Sequence, residues 1–352
     1  MRILFVKLGA IGDVIHTLPS LAAARSAFPE AEISWVVESR SADILRGNPM
    51  LDNLIEVNTR SIRGSRVDEI LPELRSQIKD LRRFKFDIAI DFQGLLKSAL
   101  IAKLSGAKRR FGFSRDAMRE PSSRLLLTDT VKTRPQIHVI RKNLELLAGA
   151  MNLDVSRTEL EFPISTNEDD EREANEILDG VGEDFAILNP AGGWVTKLWP
   201  AENYGELADQ IWERHGIVPV VAIGPAETEL AERALASSRS GKLLVIQPGL
   251  KAFYSVVRRA KVYVGGDTGP THIAVAAAVP IVGIFGPTEW WRNGSPNRGD
   301  VCVERTDIGC HINCHRRVCG NWICMDIGVE TVFNAVSARL AAAGEIERQT
   351  GR

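Results

Sequence analysis

Strand-like and helix-like segments alternate along this chain twice over, and that alternation limits the fold more tightly than any other feature. Short apolar runs read as buried strands, and apolar residues at three- and four-residue spacing read as helices. Arg2–Leu8, Glu32–Val37, Leu54–Val57 and Asp87–Asp91 have strand character. Val14–Phe28, residues 39–47, Val67–Phe84 and Leu95–Leu104 have helix character. The pattern weakens over 153–183, where charges cluster in Asn167–Asn175, and then restarts. Phe185–Leu188, Val218–Ile223, Leu243–Ile246, Val262–Val264 and Ile281–Phe285 read as strands. Tyr204–Arg214, Ala226–Ser237, Tyr254–Ala260 and Thr271–Ala277 read as the helices among them, with a last helix near Val329–Ala343. Such alternation fits parallel sheets with helices on both faces. The expected fold is therefore α/β, with two Rossmann-like doubly wound domains facing across a cleft. They are expected over 1–165 and 183–326, with a linker at 166–182 and a C-terminal helix and tail over 327–352.

Composition narrows the class. No stretch of 18 uninterrupted apolar residues occurs, so a membrane-spanning helix is not expected. The opening run Ile3-Leu4-Phe5-Val6 is cut short by Lys7, too soon for the apolar region of a signal peptide, and a cytoplasmic location is expected. The net charge of −1 conceals an asymmetry: residues 1–165 hold 26 basic and 20 acidic side chains. Most of that excess lies between Arg60 and Lys142, with 20 basic against 9 acidic residues. It reads either as solvated helix faces or as a surface for an anionic partner. Nucleic acid is not the expected partner, because aromatic residues are not interleaved with these charges.

Three runs carry candidate chemistry, each at a strand-to-helix loop, where ligands of doubly wound sheets bind. In Lys7-Leu8-Gly9-Ala10-Ile11-Gly12-Asp13, two glycines let the backbone approach a ligand, but the third glycine of a dinucleotide fingerprint is missing. Asp13 reads as a helix N-cap, as a general base facing a substrate hydroxyl, or as both. In Gly265-Gly266-Asp267-Thr268-Gly269-Pro270-Thr271-His272, small residues and backbone N–H groups suit a diphosphate, and Asp267 suits sugar hydroxyls. His272 reads as a buried structural histidine, as a phosphate contact or as a support for Asp267. In the run from Asn189 to Pro200, Gly192 and Gly193 precede Lys197, whose charge could offset that of a departing diphosphate. A solvated loop lysine is the plainer alternative there. The chain has no Asp-x-Asp pair suited to a cation between phosphates, and Asp169-Asp170 reads as solvated. No metal is expected in catalysis.

All five cysteines come late: Cys302, then Cys310, Cys314, Cys319 and Cys324. An odd count in a chain expected to be cytoplasmic disfavours a disulfide framework. A zinc or iron–sulfur site is conceivable but lacks a C-x₂-C knuckle, so reduced packing cysteines are the expected reading.

Taken in order, these runs resemble the ADP-heptose:lipopolysaccharide heptosyltransferases, inverting glycosyltransferases of family 9 with the two-domain GT-B fold. The run Val6-Lys7 to Gly12-Asp13-Val14-Ile15-His16-Thr17-Leu18-Pro19 looks most like heptosyltransferase I. So do Asp91-Phe92-Gln93-Gly94-Leu95-Leu96-Lys97-Ser98 and Arg119-Glu120-Pro121. Lys197-Leu198-Trp199-Pro200, Asp267-Thr268-Gly269 with His272, and Phe285-Gly286-Pro287-Thr288 extend the likeness over most of the chain. The resemblance implies transfer of L-glycero-D-manno-heptose from ADP-heptose to the Kdo–lipid A inner core. Asp13 would be the catalytic base and Lys197 the contact to the donor diphosphate. Gly193, Asp267, Thr268, Gly269 and His272 would hold the donor, with Glu227 or Glu229 on its ribose. Gly12, Arg60, Arg63, Lys97 and Arg119 would meet an anionic, lipid-linked acceptor. The nucleotide-sugar donor would be a substrate, no cofactor is implied, and peripheral contact with the cytoplasmic face of the inner membrane would follow from the acceptor. The cysteine-rich segment departs from type I and leaves room for a sister transferase adding a later heptose or another sugar; a nucleotide-sugar epimerase of similar fold is the more distant alternative.

Overall fold

The computed structural model describes residues 1–58, 79–310 and 314–350. Arg60, Arg63 and most of the helix expected over Val67–Phe84 lie outside them. The chain divides into two units, Met1–Ser165 and Thr166–Arg352.

The first unit holds a six-stranded sheet with strands β1 (Arg2–Val6), β2 (Glu32–Glu38), β3 (Asn53–Val57), β4 (Ile88–Asp91), β5 (Arg109–Phe113) and β6 (Asp129–Val131). Their spatial order is β3-β2-β1-β4-β5-β6, every pairing parallel. The second unit repeats the plan with β7 (Phe185–Asn189), β8 (Val218–Ala222), β9 (Leu244–Ile246), β10 (Val262–Gly265), β11 (Ile281–Phe285) and β12 (Val301–Glu304). Its order, β12-β11-β10-β7-β8-β9, is the same walk from the opposite edge, again all parallel. Both are doubly wound sheets with the strand order of dinucleotide-binding folds. Their central strands are apolar on both faces, as helices on both sides require: Ile3, Leu4, Phe5 and Val6 are fully buried, as are Ala186, Ile187 and Leu188.

Local chemistry adjusts several expected boundaries. The single helix expected over Val14–Phe28 is two, Ile11–Ile15 and Leu18–Ala27. Pro19 lacks an N–H and is tolerated only in a first helical turn, so it opens the second helix. The segment 166–182, expected as a linker, contains the helix Glu168–Val181, in which Asn167 and Asp170 form a reciprocal capping box. That helix packs on the helix Leu250–Val257, and its Glu171 reaches Ser255, Arg258 and Arg259. Its partners make it part of the second unit. Asp170 is thus a capping residue rather than simply solvated.

Strands β5, β6 and β12 and the helix Val139–Met151 are additions to the elements expected from sequence. The C-terminal helix Val329–Thr350 lies against the helix Ala201–His215 and strands β10 to β12, burying Val332, Phe333 and Val336. Among the described residues no helix is long and apolar enough to cross a membrane.

Candidate functional site

In a doubly wound sheet the crevice for ligands opens where neighbouring central strands send their chains to opposite faces. That point lies between β1 and β4 in the first unit and between β7 and β10 in the second. All three runs singled out above leave the sheet at these points, as does Asp91–Ser98.

In the first unit, Ala10 occupies the N-cap position of the helix Ile11–Ile15 and makes no side-chain cap. Asp13 stands in the first turn, so the N-cap reading falls. Its carboxylate is one-third exposed and lies 3.7 Å from the Lys7 ammonium. A first-turn position favours negative charge. Lys7 is itself buried and donates to the Phe92 carbonyl at 3.0 Å. The Leu8 amide donates to Gln93 Oε1, and the Trp35 indole donates to the Lys7 carbonyl, so the loop after β1 is tied to both neighbouring strands. Gly12 is buried, and its carbonyl accepts from the His16 amide. From the helix Val139–Met151, Asn143 donates to the His16 carbonyl and Thr17 hydroxyl, bracing the far end of the short helix.

Asp91, at the end of β4, is fully buried. Burial pushes its carboxyl up to about 6, against the Ser98 hydroxyl, the Gln93 and Gly94 amides and the Lys7 charge, which favour ionisation. It shapes the following loop, to which Glu120 is fastened: the Glu120 amide donates to the Gly94 carbonyl, and the Leu96 amide donates to the Glu120 carboxylate. The neighbouring Arg119 is exposed. Lys97 pairs at 3.3 Å with Glu38, a buried carboxylate at the end of β2. Lys7, Glu38 and Asp91 are additions to the residues expected from sequence to act at the site. A carboxylate closing the apolar run Ile88-Ala89-Ile90 is the signal that could have found Asp91.

In the second unit the structure brings Lys197, Asp267 and His272 together. The Lys197 ammonium lies 2.6 Å from Asp267 Oδ2 and donates also to the Asp267 carbonyl at 3.1 Å. His272 Nε2 is 3.3 Å from the other carboxylate oxygen. All three side chains are 10% exposed or less. Burial by itself would raise Asp267, but the His272 hydrogen bond and the Lys197 charge hold it well below the usual carboxylate range. Lys197 also sits 4.1 Å over the Trp194 ring, a cation–π contact. It is not a solvated loop lysine, and His272 supports Asp267.

Thr268 is the N-cap residue of the helix Gly269–Ala276 but makes no side-chain cap; its hydroxyl faces Asn189 Oδ1 and Thr271. Gly269 therefore opens that helix, with the favourable end of its dipole towards the loop. Gly193 is exposed and has open space on the side where a side chain would stand. Trp199 anchors the loop from below, donating to the Ile327 carbonyl while fully buried. After the end of β8, Glu227 folds back to accept the Gly224 amide at 2.7 Å, whereas Glu229, two residues on, is exposed.

Comparison with known proteins agrees with this architecture. The model of glycosyltransferase family 9 (heptosyltransferase) matches residues 74–321. Lipopolysaccharide heptosyltransferase 1 of Pseudomonas aeruginosa is 31% identical over 91% of this chain and 87% of its own length. The structure of E. coli heptosyltransferase WaaC with ADP superposes with a TM-score of 0.77 at 26% identity, covering 96% of this chain and 100% of that one. WaaC with ADP-2-deoxy-2-fluoro heptose gives 0.72 at 26% identity, over 92% and 98%. A family match over most of the chain, a relative aligned almost end to end and two sheets of one strand order converge: the chain belongs to glycosyltransferase family 9, the heptosyltransferases.

Proposed function

We propose that this enzyme transfers L-glycero-D-manno-heptose from ADP-heptose to the Kdo–lipid A inner core of lipopolysaccharide, with inversion at the anomeric carbon. The observation that carries the reading is Asp13: a carboxylate at the first unit's crevice, relieved of capping, part-exposed and next to a buried lysine. It takes the proton from the acceptor hydroxyl as that oxygen bonds to the anomeric carbon. The bond to the diphosphate breaks with its electron pair leaving on ADP. No second carboxylic acid is needed, because a diphosphate leaves as an anion when positive charge meets it. Lys197 and the N-terminus of the helix Gly269–Ala276 are the groups assigned to that task. Asp267, steadied by His272, takes sugar hydroxyls. Glu227 takes the ribose, since the end of the second strand is where dinucleotide folds place their ribose carboxylate.

Lys97, in the first turn of the helix Leu96–Leu104, and Arg119, on the loop after β5, supply charge for an anionic acceptor; Arg60 and Arg63 are assigned to the same role from sequence alone. Peripheral contact with the inner membrane belongs to the same reading. The helix Leu96–Leu104 leaves Leu96 and Leu100 exposed, the adjoining turn Pro121–Leu126 leaves Leu125 exposed, and Lys103 and Arg124 accompany them.

The deciding experiment offers ADP-heptose with defined truncated acceptors and identifies products by mass spectrometry. One heptose added to the Kdo-bearing acceptor is expected. Addition only to an acceptor that already carries heptose would assign the chain to a later step. Transfer is also expected without added cation; complete loss on chelation with rescue by magnesium would overturn the single-carboxylate mechanism.

A further inference from the structure

Cys324 packs against the core of the second unit, but Cys310, Cys314 and Cys319 lie outside it. Free cysteine is among the most buried residue types when it serves as a small apolar side chain. Here Cys310 is exposed, and Cys314, Cys319 and Cys324 are only part-buried. Yet all four line one small pocket, against Gly286, Pro287 and Thr196, although the first and last stand 14 positions apart, at 310 and 324. Cys302, on β12, is not part of it.

The pocket has features of a thiolate site. The Trp322 amide points at Cys319 Sγ from 3.4 Å, a sulfur-directed hydrogen bond of the kind that tunes metal thiolates. Trp322 and His315 hold positive φ values of +20° and +41°, costly for residues with side chains and characteristic of ligand clamps. A Cβ on Gly286 would crowd Cys324 Sγ at 3.2 Å as well as Met325, so glycine there keeps the floor open. Arg316 lines the same pocket, where its cation would offset an anionic complex.

The loop is also fastened to the candidate donor site. Thr196, next to Lys197, donates its hydroxyl to the Arg316 carbonyl, and its own carbonyl accepts the Trp322 indole N–H at 3.0 Å. Arg317 stacks over Trp194, the ring beneath the Lys197 ammonium.

We propose that Cys310, Cys314, Cys319 and Cys324 bind one thiophilic divalent ion, of the zinc or ferrous class, as a tetrathiolate that organises the cysteine-rich loop where it rests on the Lys197 segment. Binding replaces four thiol protons with four metal–sulfur bonds and releases the protons to solvent. The complex carries two net negative charges, which face Arg316. Among the described residues no three ligand side chains already stand at coordination spacing, so the thiols draw inwards on the ion. The ion organises the loop and takes no part in sugar transfer, so this inference stands or falls apart from the reaction proposed above.

The test uses the full chain, produced without a metal-affinity tag. Elemental analysis by mass spectrometry should find about one equivalent of zinc or iron per chain, as a structural four-thiolate site requires. Which metal is found, after aerobic and anaerobic purification, separates the two. Stripped protein titrated with cobalt(II) should develop sulfur-to-cobalt charge-transfer and tetrahedral d–d bands, saturating at about one equivalent. Loaded protein should resist alkylation at the four cysteines, and stripped protein should be alkylated there. Cys314→Ser and Cys324→Ser should lose the cobalt bands, and Cys302→Ser should keep them. Negligible metal together with no cobalt bands in the unmutated chain would overturn the proposal, even if the serine variants fail to fold. Acid-labile sulfide accompanying the iron would overturn it too, in favour of a cluster.

Discussion

The two units set a lysine and an aspartate at the same topological point and use them differently. In the first, Lys7 is buried and Asp13 stands 3.7 Å away, one-third exposed, on the first turn of a short helix. In the second, Lys197 and Asp267 meet at 2.6 Å, almost wholly buried, with His272 closing the other side. A loosely paired, accessible carboxylate can accept a proton, whereas a locked one can orient a ligand and hold charge in place. One strand order therefore supports an accessible, loosely paired carboxylate in one half and a buried, locked one in the other. The difference lies in burial and the number of partners rather than in the kind of residue.

The comparison breaks most visibly at Asp13. Asp13→Ala is expected to cut turnover by about 10²–10⁴-fold, the usual contribution of a positioned base, with ADP-heptose affinity unchanged by calorimetry. Undiminished turnover with intact donor binding would remove the base assignment. The corresponding change in the second unit, Asp267→Ala, leaves Lys197 buried without its carboxylate. A loss of about 3–5 kcal/mol in unfolding free energy is expected from denaturant titration, along with weaker donor binding. Equal stability of the two variants would mean that the units do not differ in the way described.

Acid titration sharpens the contrast by sign. Asp91 in the first unit has a folded pKa of about 6, above its ordinary 3.8, so the folded state binds the extra proton. Its contribution therefore weakens as pH rises from about 4 to about 6 and is constant beyond. Asp267 is depressed, so its contribution is full above about 4 and drains away as pH falls below that. Asp91→Asn should flatten the stability profile between about pH 4 and 6, and Asp267→Asn only the limb below about 4, as read from chemical unfolding across pH. The smallest expected effect separates Glu227 from Glu229. Glu227→Gln should weaken ADP binding by about tenfold, the scale of a charged hydrogen bond, while Glu229→Gln leaves it nearly unchanged.

Much of the fold could be read from apolar periodicity, because the central strands are buried on both faces and leave uninterrupted apolar runs. The periphery was harder. Strand β5 begins with Arg109-Arg110, whose charges are taken up by Asp129 on β6, by the Phe111 ring and by the Leu126 carbonyl, partners that a strand-like apolar run does not announce. Strand β6 has three residues and β12 four, too few for a period to show. The helix Glu168–Val181 hides behind its acidic first turn, which is the composition of a solvated linker and equally of a helix start. At the candidate site, the loops carrying Asp13, Lys197 and Asp267 followed from their glycines and their place after strands. What no local pattern could give was long-range pairing: Lys7 with Phe92, Glu38 with Lys97, and Lys197 with Asp267, the last separated by 70 residues. The same limit hid the convergence of the cysteines, whose spacing lacks a familiar knuckle although the fold gathers them.

The repeated strand order has a consequence for inheritance. Each sheet completes its own hydrogen-bonding ladder from residues on one side of Ser165, and neither borrows a strand from the other. Substitutions can accumulate in one half without unpicking the ladder of the other. A lineage built this way can diversify by mixing halves. Exchanging segments at Ser165/Thr166 between sister enzymes is accordingly the natural cut for building transferases with new pairings of sugar and acceptor.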